Sequence, residues 1–185
     1  MITSLLIIGG LLVVIALFTI ATYNGLVRLK ALVQEAWSGI DVQLKRRYDL
    51  IPNLVVVVKQ YSIHEKEVLE NVTKMRSFAM SAQSVSQKIE AEQGLTGALK
   101  TLFAVSENYP DLKANQNFLQ LQQQLTVLED ELQLSRRYYN GAARNYNISV
   151  SAFPSNIIAS MFGFVAVSYF EINPFERDTP TIDFK

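Results

Sequence analysis

Cysteine is absent from this 185-residue chain, and histidine occurs once, at His64. Without cysteine there are no disulfides, no thiolate nucleophiles and no thiolate metal centres. A structural or catalytic zinc site draws three or four ligands from His, Cys and carboxylates. His64-Glu65 opens like a metalloprotease helix, but Val68 stands where the second histidine would be. A Ser-His-Asp arrangement could recruit only His64, and no Gly-x-Ser-x-Gly turn exists to hold its nucleophile. Charge of either sign is also not in surplus: Lys+Arg is 17 and Asp+Glu is 17. That balance argues against a nucleic-acid partner, which calls for a basic face, and the KRR run at 45–47 reads as a solvated helix surface. Glycine and proline are scarce, 8 and 5. Gly94 and Gly97 are close together but follow no strand and lack the Lys-Ser/Thr of a phosphate loop, which leaves a bent or weak spot in a helix. No segment alternates in the manner of a strand, and VVVV at 55–58 lies inside a longer helical pattern. The chain is expected to be non-enzymatic and to need no cofactor.

What the chain does have is one long apolar run. Residues 2–22, ITSLLIIGGLLVVIALFTIAT, carry no charge, and the first charged residue is Arg28. A helix of that length spans about 30 Å, the thickness of a bilayer's hydrocarbon core. A cleaved signal peptide calls for a basic n-region and a small-residue cleavage site; no Lys or Arg precedes the run, and TIATYN is a poor site. A lipoprotein signal requires cysteine, and a buried core helix is rarely so long. Residues 1–22 are therefore expected to be a transmembrane anchor in contact with lipid. Arg28 and Lys30 follow it, then Lys45, Arg46 and Arg47. The positive-inside rule places the N-terminus outside and the rest of the chain in the cytoplasm.

Residues 23–152 read as one all-α domain. Leu26, Leu29, Val33, Ala36, Ile40 and Leu44 repeat at three-four spacing, and no strong breaker separates them from the anchor. One helix is expected over about 3–48, ended by Asp49-Leu-Ile-Pro52 because residues before proline avoid the helical region. A second is expected from Pro52 to about 82, with the capping-box pattern Ser62-x-x-Glu65 kinking it. A third covers about 85–108, stopped by Tyr109-Pro110-Asp111. A fourth, about 112–152, carries Phe118, Leu121, Leu125, Leu128, Leu132, Ser135, Tyr139, Ala142 and Tyr146 on its inner face. Short connections imply antiparallel neighbours. The expected architecture is an anchor continuing into an up-down-up-down four-helix bundle with long helices.

That topology returns the fourth helix to the membrane side, which gives residues 153–185 a special place. Residues 153–170 are uncharged and aromatic, and Phe153, Ile157, Phe162, Phe164, Tyr169 and Phe170 are candidate interaction or membrane-proximal residues. Three uses stay open: capping the bundle, lying in the lipid interface, or joining copies into a homo-oligomer. The second candidate is a polar network on the core faces. Gln43 and Arg47 extend the first helix's stripe, and Arg136 lies beside Ser135. A buried arginine must be paired, with Glu129 among the available carboxylates. Glu129, Asp130 and Glu131 point about 100° apart and share no pocket. The network reads as ion pairs that fix register, with a ligand site as the alternative.

The run YNGLVRLKALVQEAWSGIDVQLKRRYDLIPNLVVVVKQYSIHEKEVLENVTKMRS at 23–77 resembles the LemA family, as do ENYPDLKANQNFLQLQQQL at 107–125, YYNGAARNYN at 138–147 and FPSNIIASMFGF at 153–164. The resemblance covers nearly the whole chain. It implies a single-pass protein of the bacterial inner membrane with a helical-bundle domain, and it implies no enzymatic activity and no catalytic residues to carry over. Its expected partners are other membrane proteins of unknown identity. The expectation is a scaffold or adaptor at the cytoplasmic face. The alternatives are a self-assembling, membrane-shaping oligomer and a ligand-binding protein.

Overall fold

The structure is a computed structural model that describes residues 2–62 and 65–170. His64 and the tail from 171 onward lie outside the described residues. Every regular element among them is helical: α1 Ile2–Tyr61, α2 Lys66–Ser81, α3 Val85–Ser106, α4 Pro110–Lys113, α5 Gln116–Ser151 and α6 Ser155–Met161. The chain divides into two compact units. Residues 2–47 and 124–168 form one, and residues 48–123 with 169–170 form the other.

Helix α1 has two characters. Its apolar first part is unburied, with Leu5, Leu6, Leu11, Leu12 and Leu17 all exposed, and it is long and apolar enough to cross a membrane. From Leu26 onward one stripe is buried: Leu26, Val33, Ala36, Ile40, Leu44, Tyr48, Ile51, Leu54 and Val58. The stripe runs straight through Pro52, so the expected stop at 49–52 is wrong; α1 continues to Tyr61. The reason lies in what proline removes. Without an N–H, Pro52 cannot bond the carbonyl of Tyr48 one turn back, and its ring crowds that carbonyl. The Nε–H of Arg76 on α2 donates to the Tyr48 carbonyl at 2.7 Å. A tertiary donor thus replaces the missing helical one, and burial of Ile51 and Leu54, about 1.5–3 kcal/mol each, holds the helix on both sides.

α1 ends at Tyr61, and α2 begins at Lys66. There the expected capping box is absent: Glu65, the N-cap of α2, makes no side-chain cap bond, and the Ser62 hydroxyl donates back to the Val58 carbonyl at 3.0 Å. A capping box does open α3, where Ser84 accepts from the Gln87 N–H and Gln87 reaches back to the Ser84 N–H. Helix α2 buries Leu69, Val72 and Ala79 and packs on α3. Gly94 serves that packing, since a Cβ there would meet the Met75 sulfur at 3.0 Å, whereas a Cβ at Gly97 would meet nothing within 4 Å; α3 runs unbroken across both.

Helix α5 starts later than expected. Pro110 opens the short α4, and Asn115 then caps α5 by accepting from the Phe118 N–H at 3.1 Å. Phe118, Leu121, Leu125, Leu128, Leu132, Tyr139 and Tyr146 are buried along it, as the heptad spacing requires. After α5 comes α6, which no stripe in the sequence announced. It ends in a Schellman turn: Phe164 N–H bonds the Ala159 carbonyl and Gly163 N–H the Ser160 carbonyl. Gly163 sits at φ +71, the left-handed region where a Cβ is disfavoured.

Candidate functional site

Of the residues expected in a polar network around Arg47, the structure joins Arg47, Glu129 and Arg136 by ion pairs and places Gln43 elsewhere. Arg47 on α1 is buried, and its Nη1 lies 3.3 Å from Glu129 Oε2 on α5. Arg136 Nη1 approaches the other oxygen of the same carboxylate at 3.6 Å. One carboxylate between two arginines supplies the counter-charge that Arg47 requires. Gln43 joins a neighbouring pair: its Oε1 accepts from Arg46 Nη1 at 3.1 Å, while that nitrogen also contacts Glu131 Oε2 at 2.9 Å. The second pair is exposed and contributes about 0–1 kcal/mol. Ser135 donates to its own helix, to the Glu131 carbonyl at 2.9 Å. Most of these groups bond one another or the backbone, but the buried Arg136 Nε has no hydrogen-bond partner among the described residues.

In the other unit a buried pair went unforeseen. Glu92 is buried, and it accepts from the Tyr48 hydroxyl, on the residue whose carbonyl Arg76 holds. Its signal was legible: Glu92, Leu95, Leu99 and Leu102 share one helical face. A groove of about 610 Å³ also lies in this unit, lined by Val55, Lys59, Lys66, Leu69 and Lys74 among others. Lys66 pairs with Glu70 at 3.6 Å, and the hydroxyls of Ser62, Thr73 and Ser77 turn back onto their own helix.

The candidate residues of 153–170 separate into distinct environments. Phe162 packs edge-on against Tyr23, with ring centroids 4.9 Å apart, and Phe164 does the same at 5.6 Å. The Lys30 amine stands 5.8 Å over the Phe164 ring, a cation–π contact worth about 0.5–1 kcal/mol at an exposed site. Phe153 is 80% exposed, Ile157 50% and Phe162 52%, whereas Phe170 is only 5% exposed. Tyr169 and Phe170 belong with the second unit and not with the rest of the segment. The extended stretch after Gly163 is pinned by α5. Asn147 bonds both backbone groups of Val167, its Oδ1 accepting from the N–H and its Nδ2 donating to the carbonyl, each at 2.9 Å. The Tyr139 hydroxyl donates to the Ser168 carbonyl at 2.7 Å, and Trp37 packs edge-on against the Tyr139 ring at 5.4 Å. A side-chain amide here does the work of a strand neighbour.

Burial raises the phenol pKa of Tyr139 and of Tyr146 above the ordinary 10. Among the described residues no group of three or more His, Cys, Asp or Glu could hold a metal ion.

The model of the LemA family matches residues 36–184. Magnetosome protein MamQ 2 of Paramagnetospirillum magneticum is 27% identical, over 97% of this chain and 75% of its own length. Protein LemA of Metamycoplasma hominis is 30% identical, over 83% of this chain and 71% of its own. Magnetosome protein MamQ of Magnetospirillum gryphiswaldense is 24% identical, over 86% and 68%. With its family model covering residues 36–184 and a LemA relative 30% identical, the chain belongs to the LemA family.

Proposed function

We propose that this protein is a non-catalytic, single-pass scaffold or adaptor that holds partner proteins at the cytoplasmic face of the bacterial inner membrane. The observation that carries the proposal is α1. Its unburied apolar end and its buried stripe belong to one unbroken helix, so the rest of the chain is tied to the bilayer without a flexible linker. The finer arrangement we propose is an antiparallel four-helix bundle of α1, α2, α3 and α5. Its cytoplasmic orientation rests on Arg28 and Lys30 after the span and the lack of basic residues before it.

A second reading, self-assembly, draws on a different observation. Val127, Leu134, Tyr138 and Ile148 on α5 are each about half exposed or more, and heptad steps place them along one face. A photo-crosslinking residue in place of Leu134, activated in intact cells, separates the two. The adaptor reading expects a discrete adduct with a different protein, lost when residues 2–22 are deleted. Adducts only with itself would establish the second reading, and no adduct at all would overturn both.

A further inference from the structure

We propose that α6 and its flanks form a second membrane contact, a foot that lies in the interfacial layer of the same bilayer that α1 crosses. This rests on the reading of residues 2–22 as a span. If those residues fill the hydrocarbon core, Tyr23 marks its edge. Phe162 and Phe164 pack on that tyrosine, which fixes the height of the foot on the helix. Lys30 lies about two turns further along, some 10 Å by helix rise, and its amine stands 5.8 Å over the Phe164 ring. Headgroup layers are about 5–7 Å thick on each side of the core. The foot therefore occupies that layer, where aromatic residues concentrate.

The exposure pattern points to lipid. Ile158 and Ala159 face inward, at 6% and 1% exposed, while Phe153, Ile157, Met161, Phe162 and Val165 are 50–80% exposed. No charged residue occurs over 145–170. An apolar patch of this kind in water needs a cover, and the neighbouring span supplies one by continuity. Irregular backbone is costly in a dehydrated layer unless its groups are bonded. Several here are bonded: the Gly163 turn bonds the Ala159 and Ser160 carbonyls, Asn147 bonds Val167 on both sides, and the Ser155 hydroxyl reaches the Ser149 carbonyl at 2.7 Å. Arg28 and Lys30 beside the foot favour anionic headgroups.

The lack of cysteine makes the test direct. Single-cysteine variants Leu12→Cys, Met80→Cys, Met161→Cys and Val165→Cys of the full chain are labelled with an environment-sensitive fluorophore. They are reconstituted into phosphatidylcholine–phosphatidylglycerol vesicles carrying nitroxides either at the headgroup or deep in the acyl chain. The expected result is deep quenching at position 12, none at position 80, and headgroup-nitroxide quenching at 161 and 165 several-fold above that at 80. Deep quenching at 12 with positions 161 and 165 behaving like position 80 would overturn the foot and leave the anchor standing. A blue-shifted but unquenched probe at 161 and 165 would put another copy of the chain there instead, and would equally overturn it. Absence of quenching at 12 would remove the span, and the foot with it.

Discussion

The passage of α1 through Pro52 rests on one hydrogen bond, and that bond can be isolated. Arg76→Met keeps most of the aliphatic stem and removes the donor that the Tyr48 carbonyl receives at 2.7 Å. A hydrogen bond from a charged donor contributes about 1.5–3 kcal/mol, and an orphaned buried acceptor costs a similar amount, so the expected loss is about 2 kcal/mol. For a chain of this size that is a fall of roughly 4–8 °C in Tm. Pro52→Ala supplies the missing N–H, so the Tyr48 carbonyl regains a partner inside its own helix. In that background Arg76→Met should cost about 1 kcal/mol or less, a coupling of about 1–2 kcal/mol in a double-mutant cycle. The assay is equilibrium urea unfolding of the detergent-solubilised full chain, followed by far-ultraviolet circular dichroism. Equal costs of Arg76→Met in the two backgrounds would refute the compensation argument, because the arginine would then be acting through something other than the carbonyl that proline frees.

Asn147→Ala leaves both backbone groups of Val167 without their partner; the expected cost is about 1–3 kcal/mol, with faster amide exchange at Val167 and little change elsewhere. Leu128 is 5% exposed, and Leu128→Asp should unfold much of the chain, since an unpaired buried charge costs several kcal/mol against a total stability of about 5–15; unchanged melting would mean the stripe on α5 is misread. The Tyr139 phenol has its pKa raised by burial, so the neutral form is favoured in the fold. The stability it contributes is complete below pH 10, the unfolded value, and is lost as pH rises through the higher folded value. Tyr139→Phe should flatten that alkaline part of a stability-against-pH curve while lowering stability modestly at neutral pH, where the bond to Ser168 is missing.

Much of this fold can be read directly from residue spacing. The stripe from Leu26 to Leu44 and the heptads from Phe118 to Tyr146 are periodic over many turns, and most of their positions are buried, although Leu29, Ser135 and Ala142 are half-buried and Ala143 takes the core position expected of Ala142. The ends of helices were legible only where chemistry is local. Pro110 stops α3 for local reasons, whereas Pro52 is tolerated because of Arg76, a donor far away in sequence. Ser62-x-x-Glu65 and Ser84-x-x-Gln87 look alike as strings, yet only the second forms a box. The Arg47–Glu129–Arg136 cluster was recoverable because a charge on an apolar stripe demands a partner. The Asn147 clamp was not, because it pairs a helix side chain with an extended backbone that has no pattern of its own. Residues 153–170 showed no charge and many aromatics, and only three-dimensional placement separates Phe162 and Phe164, held by Tyr23, from Phe153 and Met161, which face outward.

The central claim is that this family member works by holding other proteins at a membrane. The most direct measurement is the native mass of the complexes it forms, extracted from the membrane with their surrounding lipid in polymer-bounded discs and weighed without crosslinking. The account predicts this chain together with a different protein in a fixed ratio, and the loss of that protein when residues 2–22 are deleted. Discs that contain only this chain, whether one copy or a closed ring of many, would contradict it.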